Sequence, residues 1–495
     1  MTKDTVKDYT LYKLRFWIGY GALLIILASV LVFAALYVPG GFTPDEQTSA
    51  LRSASLSLSH PETLLVVDLP YHALQRLSIS VFGLSSFSVT LPSLLFGLLT
   101  AIGIVLVISR RFSHTVGILT GGIITISAFF ISLAATGAPT IMMMFWPVAL
   151  LTIASFGVNR RKLHPAAVYI GSVVAALSLF TPFSIYILLA LFIGGLLHPH
   201  IRYLFRKTPT EAIWTGAVVI AAALGMIAYG AYRDIALLTD LVYRSSHFSL
   251  DILANTILIG TQLVDFSSTS TTNTGLLAPV FGLSALTLAG VGVYSLAYWR
   301  HSVVSYIVFS WTLMLIPILL LNPTSLALLI VPLTFLVAAG SNYLLRYWYK
   351  LFPRNPYARV FALMPVTILF ACIILSGVTR YFYAFHYYAP LANAPSHDTS
   401  LVEQELRDHP SATLLVAPSE KPWYRLYLDS NHLDNVALTD STDRLLQAGS
   451  LTDDVIATKA SNLTTSGALL PSRVTAWSNY EGSSDRLYIY KKTEK

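Results

Sequence analysis

Long apolar runs alternate with short polar clusters over the first three quarters of the chain. The first run spans about residues 16–38. Others follow at roughly 88–109, 115–134, 139–158, 165–181, 183–198, 211–231, 276–298, 303–321, 324–344 and 358–379. A helix needs about 20 apolar residues to cross the hydrocarbon layer, so the pattern predicts about eleven membrane-spanning helices. The first run is too long for a signal-peptide core and has no clear cleavage site, which reads as a retained span. Around Thr181-Pro182-Phe183 the pattern allows two short spans or one broken helix.

Three polar stretches are longer than a turn: residues 39–86, residues 232–275 and the segment from 380 to 495. The last contains TLLVAPS, NVALTD, DVIATKAS and RLYIYKK, which read as strands, and LVEQELRDH and TDRLLQAG, which read as helices. The expected architecture is an all-α polytopic membrane module over 1–379 and a small extracytoplasmic α/β domain over 380–495. No glycine-rich phosphate loop introduces that domain.

Composition agrees with this pattern. Of 495 residues, 55% are hydrophobic and 12% charged, and mean hydropathy is +0.64. Soluble domains carry about 25% charged residues. The net charge of +7 is scattered in small clusters between apolar runs, which argues against a nucleic-acid partner. Those clusters fall in alternate loops: Lys3, Lys7, Lys13 and Arg15, then Arg110–Arg111, Arg160–Arg161–Lys162, Arg202/Arg206/Lys207, Arg300 and Arg346/Lys350/Arg354/Arg359. The positive-inside rule makes that side cytoplasmic. The N-terminus is then cytoplasmic, and the long polar stretches are extracytoplasmic. A single cysteine, Cys372, excludes an internal disulfide and a multi-cysteine zinc site.

The chemistry has few places to reside. In GGFTPDEQTSAL, Thr43-Pro44-Asp45-Glu46 fits a capping box, with Thr43 as N-cap, Pro44 at the first helical position and Glu46 reaching back. In VVDLPYHALQRL, Asp68 precedes Pro70 and an apolar rhythm, and fits a cap on a second surface helix. A helix start also holds a carboxylate rigidly. Two such starts at one membrane face could join in one pocket, where one acid takes a proton from an incoming hydroxyl. Others could hold a Mg²⁺-like cation through oxygen ligands.

PDEQTSAL after the first span, then LPYHALQRLSISVFGLSSFSVTLPSLLFGLLTAIGIVLVISRRF, resembles the GT-C superfamily of polyprenyl-phosphate-sugar-dependent glycosyltransferases, in its protein O-mannosyltransferase and aminoarabinose-transferase group. The resemblance covers about residues 12–112. It implies an inverting transfer of a sugar from a polyprenyl phosphate to an envelope lipid, glycan or protein, on the extracytoplasmic face of the cell membrane. It gives Asp45 the place of the general base and makes Glu46 its loop-fixing neighbour. Asp68 becomes the second acid, with a possible divalent cation (Mg or Mn), and Tyr71 and His72 fall beside the substrates.

Two departures stand out. Thr48 and Ser49 occupy positions where the group often has a basic or aromatic pair, and Leu69 replaces a frequent lysine. Arg52, Arg76, Arg233, Arg244 and His247 are the stand-ins for the donor-phosphate contact, and the sequence does not choose among them. A scaffold that keeps the fold without catalysis, and a lipid or solute transporter, are the competing classes. Polar loop residues such as Asp265, the aromatic belt of Tyr381, Tyr383, Tyr387 and Tyr388, packing by Met142–Met144 and the sequon at Asn462 need no special function.

Overall fold

The computed structural model describes residues 10–490 apart from 39, 58, 160–163, 245–247, 265–281, 352–355, 388, 393, 441–453, 459–460, 462–472 and 477–484. The chain begins with α1 (Thr10–Tyr37), the surface helices α2 (Pro44–Ser55) and α3 (Leu69–Phe82), and then α4 (Ser86–Arg111), α5 (His114–Thr125) and α6 (Ala128–Ala135). It continues with α7 (Met142–Asn159), α8 (His164–Ser178), α9 (Ser184–Leu197), α10 (Pro199–Lys207), α11 (Thr210–Arg233), α12 (Ile235–Tyr243) and α13 (Ile252–Val264). The last long helices are α14 (Leu283–Tyr298), α15 (Val303–Leu321), α16 (Ile330–Leu351) and α17 (Pro356–Tyr387).

Among the described residues seven helices are long and apolar enough to cross a membrane. Two further pairs pass only together. α5 and α6 meet at a 67° bend, and α9 and α10 at 96°. The shorter apolar helices α8 and α14 complete the correspondence with the eleven expected runs, whereas α13 was not expected at all. The chain is a multi-pass membrane protein. Thr181-Pro182-Phe183 separates two helices, because Pro182 has no N–H for the ladder and Phe183 takes a left-handed backbone (φ 62°).

The C-terminal segment adds α18 (Ala389–Ala392), α19 (Asp398–Asp408), β1 (Thr413–Leu415), α20 (Lys421–Ser430), β2 (Ala437–Thr439), β3 (Val455–Thr458), β4 (Arg473–Ala476) and β5 (Arg486–Tyr490). The strands form one mixed sheet in the order β2-β1-β3-β5-β4. β1 lies parallel to β2 and β3, and β5 runs antiparallel to β3 and β4. All four strand-like sequences became strands, and LVEQELRDH became α19. TDRLLQAG lies outside the described residues.

This domain shares a core with the surface helices. Phe42, Ala50, Ile79 and Leu84 from the first polar loop pack in one cluster with Leu401, Leu414, Trp423 and Tyr427. The Phe42 and Trp423 rings meet edge to face at 5.0 Å. Phe42 and Ser396 exchange backbone hydrogen bonds of 2.9 and 2.8 Å. Gly41 permits that approach, because a Cβ there would overlap the Ser396 carbonyl. At the far end of the loop Gly83 takes φ 70° beside Asn431, whose amide donates to the Leu84 carbonyl at 3.3 Å. Both ends of the α2–α3 unit are therefore clamped by the C-terminal domain.

Candidate active site

The capping box is present in full. Thr43 Oγ1 accepts from the Glu46 N–H at 3.3 Å, and Glu46 Oε2 accepts from the Thr43 N–H at 2.8 Å. The second Glu46 oxygen, Oε1, accepts from the Gly137 N–H at 2.6 Å. Glu46 is thus buried and fully used in tying the start of α2 to the loop before α7. Burial raises its pKa, and the Gly137 and Thr43 hydrogen bonds pull it back. Its neighbour Asp45 has no such duty and stays exposed.

Asp68 differs from its expected role. It stands at the N-cap position of α3, but its side chain makes no capping hydrogen bond and its backbone is left-handed (φ 55°). The cause lies across the loop. Asp68 N–H donates to the Phe180 carbonyl at 2.7 Å, and Thr181 Oγ1 donates to Asp68 Oδ1 at 2.6 Å. Trp146 Nε1 donates to Thr181 Oγ1 at 2.9 Å, which commits the threonine proton to Asp68. Burial raises the Asp68 pKa to about 7, against opposing effects of Thr181, Arg244 and Arg52.

A cleft of about 240 Å³ opens between these loops. It is lined by Asp45, Thr48, Ser49, Arg52, Val67, Asp68 and His72 from the first polar loop. Ala138, Pro139, Thr140 and Met143 close a second wall, and Pro182, Asp240 and Arg244 the third. In the eleven-run order these loops all lie on one face of the bundle. Asp68 and Arg244 (φ 48°) line the cleft, and left-handed Phe183 follows its Pro182. Only one other non-glycine residue among those described, His432, has a positive φ. Such backbones cost on the order of 1–3 kcal/mol each and gather where function fixes a geometry. Burial lowers the Arg244 pKa from its usual value, while Asp68, Asp45 and Asp240 hold it up.

A buried network holds the floor. Gln75 accepts from Ser49 and Ser53 Oγ at 2.9 and 2.6 Å and donates to the Val89 and Gly137 carbonyls at 3.0 and 3.1 Å. His72 Nδ1 lies 2.8 Å from Ser53 Oγ. Ser53 has one proton and already faces the Ser49 carbonyl and Gln75 Oε1, so the count places the imidazole proton on Nδ1. Burial and Arg52 lower the His72 pKa to about 4, so the ring is neutral at pH 7.

Of the residues expected from the sequence, Asp45, Arg52, Asp68, His72 and Arg244 meet in this cleft. Glu46 stays outside as its brace. Tyr71 does not reach it: the ring is fully buried, and its hydroxyl pairs with Ser93 Oγ at 2.7 Å. Arg76 lies one turn beyond His72, exposed and outside the cleft lining. Arg233 faces Glu62 at 3.3 Å and Tyr229 at 2.9 Å, also outside the lining. His247 lies outside the described residues. Among the described residues no three acidic, imidazole or thiol groups converge on one point, so a cation at Asp68 would need water and donor phosphate to complete its shell. Thr181, Asp240 and Gln75 escaped sequence reasoning, because only the fold brings Thr181 to Asp68, Gln75 to Ser53 and Asp240 to the cleft.

The model of the family described as dolichyl-phosphate-mannose-protein mannosyltransferase matches residues 69–229, from α3 through α11. The structure is similar to ArnT from Cupriavidus metallidurans bound to undecaprenyl phosphate, with a TM-score of 0.57 and 11% identity over 96% of this chain and 98% of that one. The apo form of the same protein gives 0.58 and 11% over 95% and 98%. An oligosaccharyltransferase from Archaeoglobus fulgidus is more remote, at a TM-score of 0.47 and 11% identity over 88% of this chain and 69% of that one. No curated protein matches the sequence. The chain has the same overall fold as ArnT.

Proposed function

We propose that the protein transfers a sugar from a polyprenyl-phosphate donor to a hydroxyl or amine of an envelope acceptor, on the extracytoplasmic face and with inversion. The observation that carries this reading is the meeting of Asp45, Asp68, Arg52 and Arg244 in one cleft on one face of an apolar helix bundle. An isoprenoid tail suits the bilayer, and its phosphate suits the interface. The likeness to a protein bound to undecaprenyl phosphate supports this donor class.

In this reading the acceptor attacks the anomeric carbon as Asp45 takes its proton. The bond from that carbon to the phosphate oxygen breaks, and its electron pair leaves with the polyprenyl phosphate. Arg52 and Arg244 stabilise the charge that develops on that oxygen. The leaving group is already anionic, so no protonating acid is required. Asp68 is a positioning residue, holding the two guanidiniums by charge while Thr181 and Trp146 hold it. Neutral His72 gives the acceptor a hydrogen-bonding partner without adding charge. The arginines supply positive charge at the donor phosphate.

The test is turnover of a panel of polyprenyl-phosphate sugars by the purified protein, wild type beside Asp45→Asn. Turnover lost in a variant that still folds supports Asp45 as the base. Equal turnover in both proteins rejects that role, and no binding of any such lipid rejects the donor class.

A further inference from the structure

The 96° break between α9 and α10 creates a second feature, at the end of α9 away from Pro182 and the cleft. α9 is an apolar helix, and α10 turns off it to carry PHIRYLFRK, with an apolar and a basic stripe. Such a short amphipathic helix suits the plane of a membrane surface. A groove of about 380 Å³ lies in the elbow, with Phe192, Leu196, Ile201 and Phe205 as walls and Arg202 and Arg206 at its rim.

The two arginines are oddly placed for a purely structural role. They stand four residues apart on one helix, where like charges repel by a few tenths of a kcal/mol. Both are exposed, and among the described residues neither has an ion-pair or hydrogen-bonding partner. Lys207, by contrast, rests over the Tyr203 ring at 4.5 Å and does not line the groove. From His198 to Thr210 the chain carries no acid. An anion held between Arg202 and Arg206 would relieve the repulsion, and an acyl chain would fill the apolar walls below it.

We propose that the α9–α10 elbow is a binding site for an anionic glycerophospholipid, with its phosphate between Arg202 and Arg206 and one acyl chain in the groove. The site is independent of the transfer reaction.

The test uses the full chain, delipidated in neutral detergent and titrated with palmitoyl-oleoyl phosphatidylglycerol or phosphatidylcholine under native mass spectrometry. Wild type should retain phosphatidylglycerol in preference to phosphatidylcholine. Arg202→Gln/Arg206→Gln should bind it roughly 30-fold more weakly, from the attraction of an anionic lipid surface for two basic residues. Gly195→Leu, which puts a side chain into the groove beside Ile201 and keeps both charges, should also lose it. Lys207→Gln should bind as wild type does. An equal loss in Lys207→Gln would mean general attraction to charge and would overturn a seated site. Retention by Gly195→Leu would overturn the acyl seat, and a preference for polyprenyl phosphate over phosphatidylglycerol would overturn the occupant.

Discussion

Asp68 is held at a cost to stability, and that cost has a sign. Its carboxyl titrates near 7 in the folded protein, against an ordinary value of 3.8. Below pH 3.8 both states are protonated, and the stability is fully present. It falls as pH rises through 7, where the buried group must ionise. Asp68→Asn keeps an oxygen for Thr181 and removes the charge. The variant should therefore be more stable than wild type at pH 8, by on the order of 2–4 kcal/mol, with the gain shrinking toward pH 4. A denaturation series across pH reads this, and a destabilised variant at pH 8 would refute it. A plain helix cap would behave in the opposite way, losing about 1 kcal/mol on mutation. Turnover should fall in the same variant, since Arg52 and Arg244 lose the charge that places them.

The two arginines separate by kinetics. Arg52→Gln and Arg244→Gln should each lower kcat by about 100-fold or more if they stabilise charge only in the transition state. A rise in KM with kcat unchanged would make them mere anchors for the ground-state phosphate. Arg76→Gln serves as the control, being exposed and outside the cleft. At this scale the acids were legible because helix starts have a local signature. Thr43, Pro44 and Glu46 announce their cap within four residues. Thr181 reaches Asp68 from 113 positions away, and no local pattern encodes that. Tyr71 misled for a related reason: it lies next to His72, but a helix turns neighbours by about 100°, so only one of the two faces the cleft.

Among the elements, the clamp on the α2–α3 unit invites a test away from the chemistry. Phe42 pairs with Ser396 and packs on Trp423 immediately before Thr43, the cap that orients Asp45. Trp423→Ala removes a buried ring and should destabilise the C-terminal domain by about 3–5 kcal/mol. Turnover should fall with it although Trp423 does not line the cleft, and local protection of residues 42–50 from hydrogen exchange should fall as well. Unchanged protection there would mean that the loop keeps its shape unaided. The apolar runs gave away the spanning helices because hydrocarbon demands length and composition. They could not give the bend after Thr125, which keeps the apolar composition and changes only direction. α13 hid among polar neighbours, and its 13 residues fall short of a span.

For the whole molecule, sidedness is the claim on which the others depend, and it rests on alternation. The cleft draws on loops following α1, α3's start, α6, α8 and α12, and the basic clusters lie in the loops between. One wrong span would put Asp45 and Arg244 on opposite faces, yet they line one cleft. Their common face is therefore fixed by packing, and only its outward direction rests on charge. The sequence offers a clean assay, because Cys372 is the one cysteine and Cys372→Ser leaves none. In that background Arg425→Cys, exposed on α20, should react with a membrane-impermeant maleimide in intact cells. Arg300→Cys, exposed after α14, should react only after the membrane is opened. The reverse result would turn the protein over and place the cleft in the cytoplasm. Labelling of both sites from one side would break the alternation itself.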